Sequence, residues 1–142
     1  MALQPNQINI VSDALTVKAT AAVTKYRFVG YNGQHCAANA AAIGVSYFDA
    51  AIGDPVTIYG AGNIVPLEAG ASFAAGAMLA SDANGKGVAA SAVAIASGAT
   101  AVTSAAANGA TDITGGALPQ TVNAMAMQAA SAGGDIVSVL VW

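Results

Sequence analysis

A six-residue phrase occurs twice in this chain, near the middle and at the end, and it limits the fold more than any other feature. Gly53-Asp54-Pro55-Val56-Thr57-Ile58 returns as Gly134-Asp135-Ile136-Val137-Ser138-Val139. Gly accepts positive φ and Asp bonds to nearby backbone N–H groups, so each Gly-Asp pair predicts a tight turn. The β-branched residues that alternate after each turn predict a strand. The chain therefore contains turn-then-strand units in which Gly53, Asp54, Gly134 and Asp135 form the turns.

Short alternating segments separated by turn signals make up much of the remaining chain. Ser81-Asp82-Ala83-Asn84-Gly85-Lys86 predicts a turn in which Asn84 and Gly85 make the bend. The segment Glu68–Ala77 predicts a short helical piece, because its alanines favour helix although two glycines oppose it. The other segments give about nine or ten strands, which predicts an all-β barrel or sandwich with at most one short helix.

The parts of the chain differ in composition. Residues 1–12 predict an extended N-terminal arm, since Pro5 disfavours helix and Ile8 and Ile10 share one face of an extended segment. Residues 13–142 predict a single β domain. Within it, residues 91–120 are mostly Ala, Ser, Thr, Gly and Asn, which predicts a low-complexity excursion with few large apolar side chains to bury.

The apolar content is high but supplies only a thin core. The 142-residue chain is 56% hydrophobic, and alanine contributes more to that fraction than any other residue. A buried alanine contributes far less than the roughly 1.5–3 kcal/mol of a buried Leu or Phe. Small domains with thin cores gain stability from disulfides, metals or subunit contacts. Because the chain has one cysteine and one histidine, oligomerisation is the prediction that remains.

The closing strand is apolar on both faces. Val137, Val139 and Val141 share one face, and Ile136, Leu140 and Trp142 line the other. A strand that is apolar on both faces is buried on both, so in this small domain the second face is expected to meet another subunit or a partner. For Trp142 an alternative stays open, in which its ring covers the barrel of its own chain.

The sequence contains no constellation typical of catalysis or ligand binding. His35 and Cys36 are adjacent, so on a strand they point to opposite faces and do not form a nucleophile–base pair. No second histidine joins Cys36 as a zinc ligand. Gly60-Ala61-Gly62 lacks the third glycine of a dinucleotide site. We therefore predict that the protein is not an enzyme and has no cofactor, no metal and no small-molecule substrate.

Charge and hydropathy argue against two further classes of partner. Four basic and seven acidic residues give a net charge of −3, whereas nucleic-acid binding needs clustered Lys and Arg. The long uncharged stretch after Lys86 is too weakly apolar to insert into a membrane, and no targeting segment is visible. We predict no nucleic acid and no membrane as partners. The single free cysteine fits synthesis in a reducing host cytoplasm.

Three phrases together resemble a known family. They are Gly53-Asp54-Pro55-Val56, the turn Ser81–Gly87, and the closing segment Ala129–Leu140. In this combination, which spans Asp13–Leu140, the chain resembles the capsid cement, or head decoration, proteins of tailed bacteriophages. It departs from their pattern in the expanded segment at residues 91–120 and in the terminal Val141-Trp142.

The resemblance implies a fold, a partner and a location. The fold is a small β-barrel or β-tulip-like domain that assembles as a homotrimer, and the partner is the major capsid protein. The location is the outer surface of the icosahedral head in the virion, which such proteins brace against the pressure of packaged DNA. We expect Leu3, Pro5, Ile8 and Ile10 of the arm to bind the capsid, and Ile136, Leu140 and Trp142 to make trimer contacts.

A second interpretation comes from the richness in Ala, Thr and Gly. It is a secreted or surface β protein of adhesin or solenoid type with no virion role. The sequence has neither a strict repeat period nor an export signal that would favour it.

Overall fold

The computed structural model describes residues 14–91, 94–95, 103–105, 112–114, 116–117 and 120–142. These residues contain thirteen strands and no helix, which confirms the predicted all-β class. In chain order the strands are β1 (Ala14–Lys18), β2 (Phe28–Gly30), β3 (Ala42–Ser46), β4 (Pro55–Tyr59), β5 (Ile64–Glu68), β6 (Met78–Ser81), β7 (Gly87–Ala89), β8 (Ala94–Ile95), β9 (Thr103–Ala105), β10 (Asp112–Thr114), β11 (Gly116–Ala117), β12 (Ala124–Ala126) and β13 (Ile136–Val141).

The strands belong to two compact units. The first consists of residues 14–90 and 121–142 and contains nine of the described strands in two sheets, one of which curls into a half-barrel. The second, Ser91–Gln120, contains two antiparallel pairs, β8 with β11 and β9 with β10. The predicted arm at residues 1–12 lies outside the described residues.

The two sheets of the first unit share the same order of four strands, and the second sheet has β7 in addition. The first sheet has the order β1-β4-β3-β2, and the second has the order β5-β13-β12-β6-β7. When β1 is matched with β5, β4 with β13, β3 with β12 and β2 with β6, every antiparallel pair of the first sheet has a counterpart in the second. The first unit therefore consists of two structural repeats. We call residues 14–59 the first repeat and residues 64–90 with 121–141 the second repeat.

The registers of the two repeats agree residue by residue. Three strand pairs of the first repeat have counterparts in the second: Val17–Val56 corresponds to Leu67–Val137, Phe28–Val45 to Met78–Met125, and Ser46–Ile58 to Ala126–Val139. The isolated bridge Val23–Ala50 likewise corresponds to Phe73–Ala130. An uncommon backbone conformation recurs as well, since Tyr26 has φ 61° and its counterpart Gly76 has φ 82°. This agreement shows that residues 91–120 are an insertion in the second repeat.

The repeated Gly-Asp phrase marks the corresponding turn of each repeat. Gly53 N–H donates to the carbonyl of Ala19, and Gly134 N–H donates to the carbonyl of Ala69, both at 2.8 Å. The two glycines have φ values of 91° and 94°, which favour glycine. Each turn thus ties the residue that follows the first strand of its repeat to the start of the last strand.

Buried apolar side chains form two clusters. The smaller cluster consists of first-repeat residues: Ala19, Val23, Val29, Val56 and Ile58. The larger cluster contains their counterparts Ala69, Phe73, Leu79, Val137 and Val139, the neighbouring Val65 and Leu67, and the first-repeat residues Phe28, Cys36 and Val45. We call the surface formed by Val65, Leu67, Leu79, Val137 and Val139 the inner face of the second repeat. The first repeat packs Phe28 and Val45 against this inner face.

The prediction of a short helix at Glu68–Ala77 is wrong. Ala69 N–H donates to the carbonyl of Asp135 at 2.8 Å, and Phe73 forms a bridge with Ala130. The backbone groups of this segment therefore bond across to other segments rather than along a helix, and tertiary pairing overrides the helix propensity of alanine. Within the described residues, no helix is present that could cross a membrane.

Two glycines in turns allow steric conflict to be separated from backbone strain. Both Gly53 and Gly85 have positive φ, but a Cβ at Gly85 would lie 2.6 Å from the carbonyl oxygen of Phe28, whereas a Cβ at Gly53 would meet nothing within 4 Å. We expect Gly53→Ala to lower the free energy of unfolding by about 1 kcal/mol. Gly85→Ala is expected to cost about 2–4 kcal/mol, because overpacking adds to the strain. Urea unfolding of both variants checks this, and equal losses would contradict the described packing of Gly85.

Candidate interaction surfaces

A partly buried ionic cluster fastens the first repeat to the second. The Glu68 carboxylate accepts from Arg27 Nε at 2.9 Å and from Lys86 Nζ at 2.8 Å, and the Glu68 side chain is only 6% exposed. Nearby backbone groups add two bonds between the repeats: Glu68 N–H donates to the carbonyl of Tyr26 at 2.7 Å, and Phe28 N–H donates to the carbonyl of Gly85 at 2.6 Å. This cluster serves the internal architecture and is not a ligand site.

The charge state of Glu68 follows from two opposing effects. Burial of the carboxyl favours its neutral form, but the hydrogen bonds and positive charges of Lys86 and Arg27 outweigh burial and hold the pKa of Glu68 below its ordinary value. The carboxylate therefore stays ionised in the folded protein at neutral pH, as the two cations require.

His35 and Cys36 are used structurally. His35 Nε2 accepts the N–H of Thr24 at 2.8 Å, while burial and the charge of Arg27 lower the pKa of His35. Burial raises the pKa of the Cys36 thiol, which donates to the carbonyl of Ala40 at 3.4 Å. Across the described part of the chain, no group of three or more His, Cys, Asp or Glu side chains could hold a metal ion.

An apolar surface lies on the outward side of the second repeat. Met78, Met125 and Leu140 are paired in register across β6, β12 and β13 and form what we call the open row. The exposed fraction of Met78 is 43%, and Met125 and Leu140 are half-buried. Beside the row, a depression of about 250 Å³ is lined by Met78, Val122 and Trp142. A contiguous exposed apolar surface of this kind is typical of an interaction site.

The residues predicted as trimer contacts have different environments. Trp142 is 60% exposed and Leu140 is half-buried in the open row, so both are available to a partner. Ile136 is 1% exposed, so its side chain lies inside the unit and offers no surface to a neighbouring chain. The predicted capsid-binding residues Leu3, Pro5, Ile8 and Ile10 lie outside the described residues.

The predicted turn residues lie in turns. Asp135 Oδ2 accepts from Ser131 Oγ at 2.7 Å and from Ser131 N–H at 2.8 Å, and these bonds lower the pKa of Asp135. Asp54 Oδ2 accepts the N–H of Ala51 at 3.3 Å. The backbone N–H of Asn84 donates to Asp82 Oδ1 at 2.8 Å, and Gly85 follows with φ 75°.

Sequence reasoning missed Met78, Met125 and Val122 as surface residues. The internal repeat is the sequence signal that could have pointed to Met78. When the segment that begins at Ala14 is matched with the segment that begins at Ile64, Met78 takes the position of Phe28. The repeats share few identical residues besides alanine and the Gly-Asp phrase, so only that phrase was visible.

The fold is similar to that of a solved phage protein, the head fiber gp8.5 N base of bacteriophage phi29. The two chains are 19% identical and superpose with a TM-score of 0.59, over 92% of this chain and 93% of that chain. At this identity the likeness establishes the fold. A comparison with curated proteins gave no match.

The paired β repeats present an exposed apolar row that a protein partner could cover. Residues 8–117 match the phage cement proteins, and the chain belongs to this family of structural virion proteins. The resemblance identified from the three sequence phrases is thereby confirmed. The comparisons lend no support to the adhesin or solenoid interpretation.

The ionic cluster predicts a pH-dependent contribution to stability. Because the pKa of Glu68 is lower in the folded than in the unfolded chain, its contribution is complete above the unfolded value near 4.3 and is lost as pH falls through the folded pKa. Glu68→Gln should therefore lower the free energy of unfolding by about 2–3 kcal/mol at pH 7, since Arg27 and Lys86 lose their partner. The deficit should shrink as the pH is lowered below 4.3. Urea unfolding measured across this pH range provides the check.

Lys18 provides the matched control for this experiment. It occupies the position in the first repeat that corresponds to Glu68, and it is exposed. Lys18→Gln should change the free energy of unfolding by less than about 0.5 kcal/mol. A Glu68→Gln deficit that is constant from pH 7 to pH 3 would show that the carboxylate charge does not matter.

Proposed function

We propose that this protein decorates and stabilises the outer surface of a phage icosahedral head by binding the major capsid protein as a homotrimer. The observation that carries the proposal is the match to the phage cement proteins over residues 8–117. The proposed role requires binding surfaces and no chemical step. In agreement, His35 and Cys36 are both engaged in internal hydrogen bonds.

The arm is the proposed capsid-binding element. It leads directly into β1, which is an edge strand of the first sheet. An extended segment can add a strand to an exposed sheet edge of another protein, with backbone bonds for affinity and alternate side chains for register. In this mechanism Leu3, Ile8 and Ile10 are the apolar anchors, and Pro5 limits the conformations of the free arm.

A trimer converts weak arm contacts into stable attachment. Once one arm is bound, the other two act at a raised effective concentration, so the combined affinity exceeds that of a single arm without any new type of contact. The protein would be made in the host cytoplasm and would act on the capsid surface. A net charge of −3 fits a partner other than the packaged nucleic acid.

The test replaces the apolar anchors of the arm and leaves the β unit unchanged. Leu3→Ser, Ile8→Ser and Ile10→Ser together should abolish co-sedimentation with heads of the parent phage that were assembled without this protein. The matched control changes Gln4, Asn6 and Gln7 to Ser in the same arm, and it should bind as the unchanged protein does. Thermal unfolding should be the same for both variants. Full binding by the apolar-anchor variant would contradict the role of the arm.

A further inference from the structure

The two repeats bury equivalent residues to different extents. Phe28 and Val45 of the first repeat are 0% and 1% exposed, because they pack on the inner face of the second repeat. Their counterparts Met78 and Met125 occupy the same register positions, yet Met78 is 43% exposed and Met125 is half-buried. The same row of positions is thus covered in one repeat and open in the other.

This asymmetry shows that the repeats meet head to tail. If a two-fold axis related them, each repeat would cover the row of the other, and Phe28 and Met78 would be equally buried. In a head-to-tail contact, one copy of the row and one copy of the receiving face are left unused at opposite ends. The open row is the copy of this row that packs on no receiving face within the chain.

The unused receiving face lies on the first repeat. In the second repeat, Val65 and Leu67 are both 0% exposed and Asn123 is 5% exposed. Their counterparts in the first repeat are Leu15, Val17 and Ile43, which we call the acceptor face. The counterparts of Leu79, Val137 and Val139 are buried in the first repeat's own cluster and do not belong to the acceptor face. Leu15 is 47% exposed, and Val17 and Ile43 are half-buried. The molecule therefore presents an open apolar row and, in Leu15 and Val17, the open counterparts of the inner-face residues Val65 and Leu67.

We propose that the open row of one chain packs on the acceptor face of a second copy of this chain, so that the contact between the two repeats is reproduced between subunits. The inference specifies the self-association part of the proposed function and rests on it. Such a heterologous contact closes into a ring when its rotation permits, which gives a homotrimer a definite interface.

The chemistry of the two surfaces fits this occupant. The positions equivalent to Arg27 and Glu68 are Ala77 and Lys18, and the position equivalent to Lys86 is Asn32. The contact between chains therefore has no counterpart of the ionic cluster and provides no carboxylate for Lys18. Met78, Val122 and Trp142 around the depression of about 250 Å³ provide a recess for an aliphatic side chain such as that of Leu15. The association should accordingly depend little on salt, because it consists of apolar packing.

Cysteine cross-linking tests the direction of this contact in the absence of capsids. Chains that carry Met78→Cys and Leu15→Cys separately are co-expressed with different tags and treated with a short bis-maleimide. Cys36 is 1% exposed and is left in place. We expect a mixed cross-linked species of twice the 13.7 kDa chain mass. The pair Ile52→Cys with Leu15→Cys is the matched control, since Ile52 is 72% exposed outside both surfaces, and it should not cross-link. Cross-linking of Met78→Cys chains to each other, or no cross-linking of the mixed pair, would overturn the proposal.

Mass in solution separates this inference from capsid binding. Met78→Lys should weaken self-association by at least about 100-fold and give the 13.7 kDa monomer, while Ile52→Lys should leave the oligomer intact. Equal thermal unfolding of the dissociated Met78→Lys chain and the unchanged chain at dilution would exclude misfolding. An unchanged protein that is monomeric yet binds heads through its arm would refute the inference and leave the head-binding role standing. An oligomer that fails to bind heads would refute the head-binding role and leave the inference about self-association standing.

Discussion

The packing of Phe28 and Val45 on the inner face of the second repeat is the contact on which the rest of this structure depends. Each repeat has few large apolar side chains, and the smaller buried cluster contains nothing larger than an isoleucine. Phe28, Cys36 and Val45 of the first repeat belong to the larger cluster, so the two repeats share one core. The Arg27–Glu68–Lys86 cluster lies at the same junction and fixes the register of the contact through charge-assisted hydrogen bonds.

This contact between the repeats leaves an apolar surface exposed on each repeat. The contact within the chain uses the row of one repeat and the face of the other, so the row of the second repeat and the Leu15 part of the first repeat's face remain exposed. The substitution of flexible Met78 and Met125 for Phe28 and Val45 suits a surface that is exposed before assembly and packed after it, since methionine adapts to irregular partners. The proposed reuse of this contact between chains suits a structural protein of the phage cement family.

Much of the fold was predictable from local signals. The Gly-Asp phrases, the Asn84-Gly85 turn and the closing strand were all visible, because turn chemistry and β-branched alternation act over a few residues. The absence of a helix at Glu68–Ala77 was not predictable, since bonds from Ala69 to Asp135 and from Phe73 to Ala130 join residues far apart in sequence. The candidate surface was found in part: Leu140 and Trp142 were identified from a strand that is apolar on both faces, but the same pattern could not show that Ile136 is buried or that Met78 is open. Those differences depend on the packing between the repeats, in which the second repeat covers Phe28 and Val45 but no repeat of the same chain covers Met78.

Methionine oxidation offers the most direct test of the central claim that the open row is covered by a second copy. Met78 and Met127 are each 43% exposed in the single chain, so hydrogen peroxide should oxidise both at similar rates in a dissociated protein. Tyr47, the first-repeat counterpart of Met127, is half-buried at the edge of the cluster that contains the fully buried Phe28, so Met127 should be covered less than Met78 on assembly. In the assembled protein, peptide mass spectrometry should show Met78 oxidised several-fold more slowly than Met127. Equal oxidation of the two residues at concentrations where the protein is oligomeric would contradict the account.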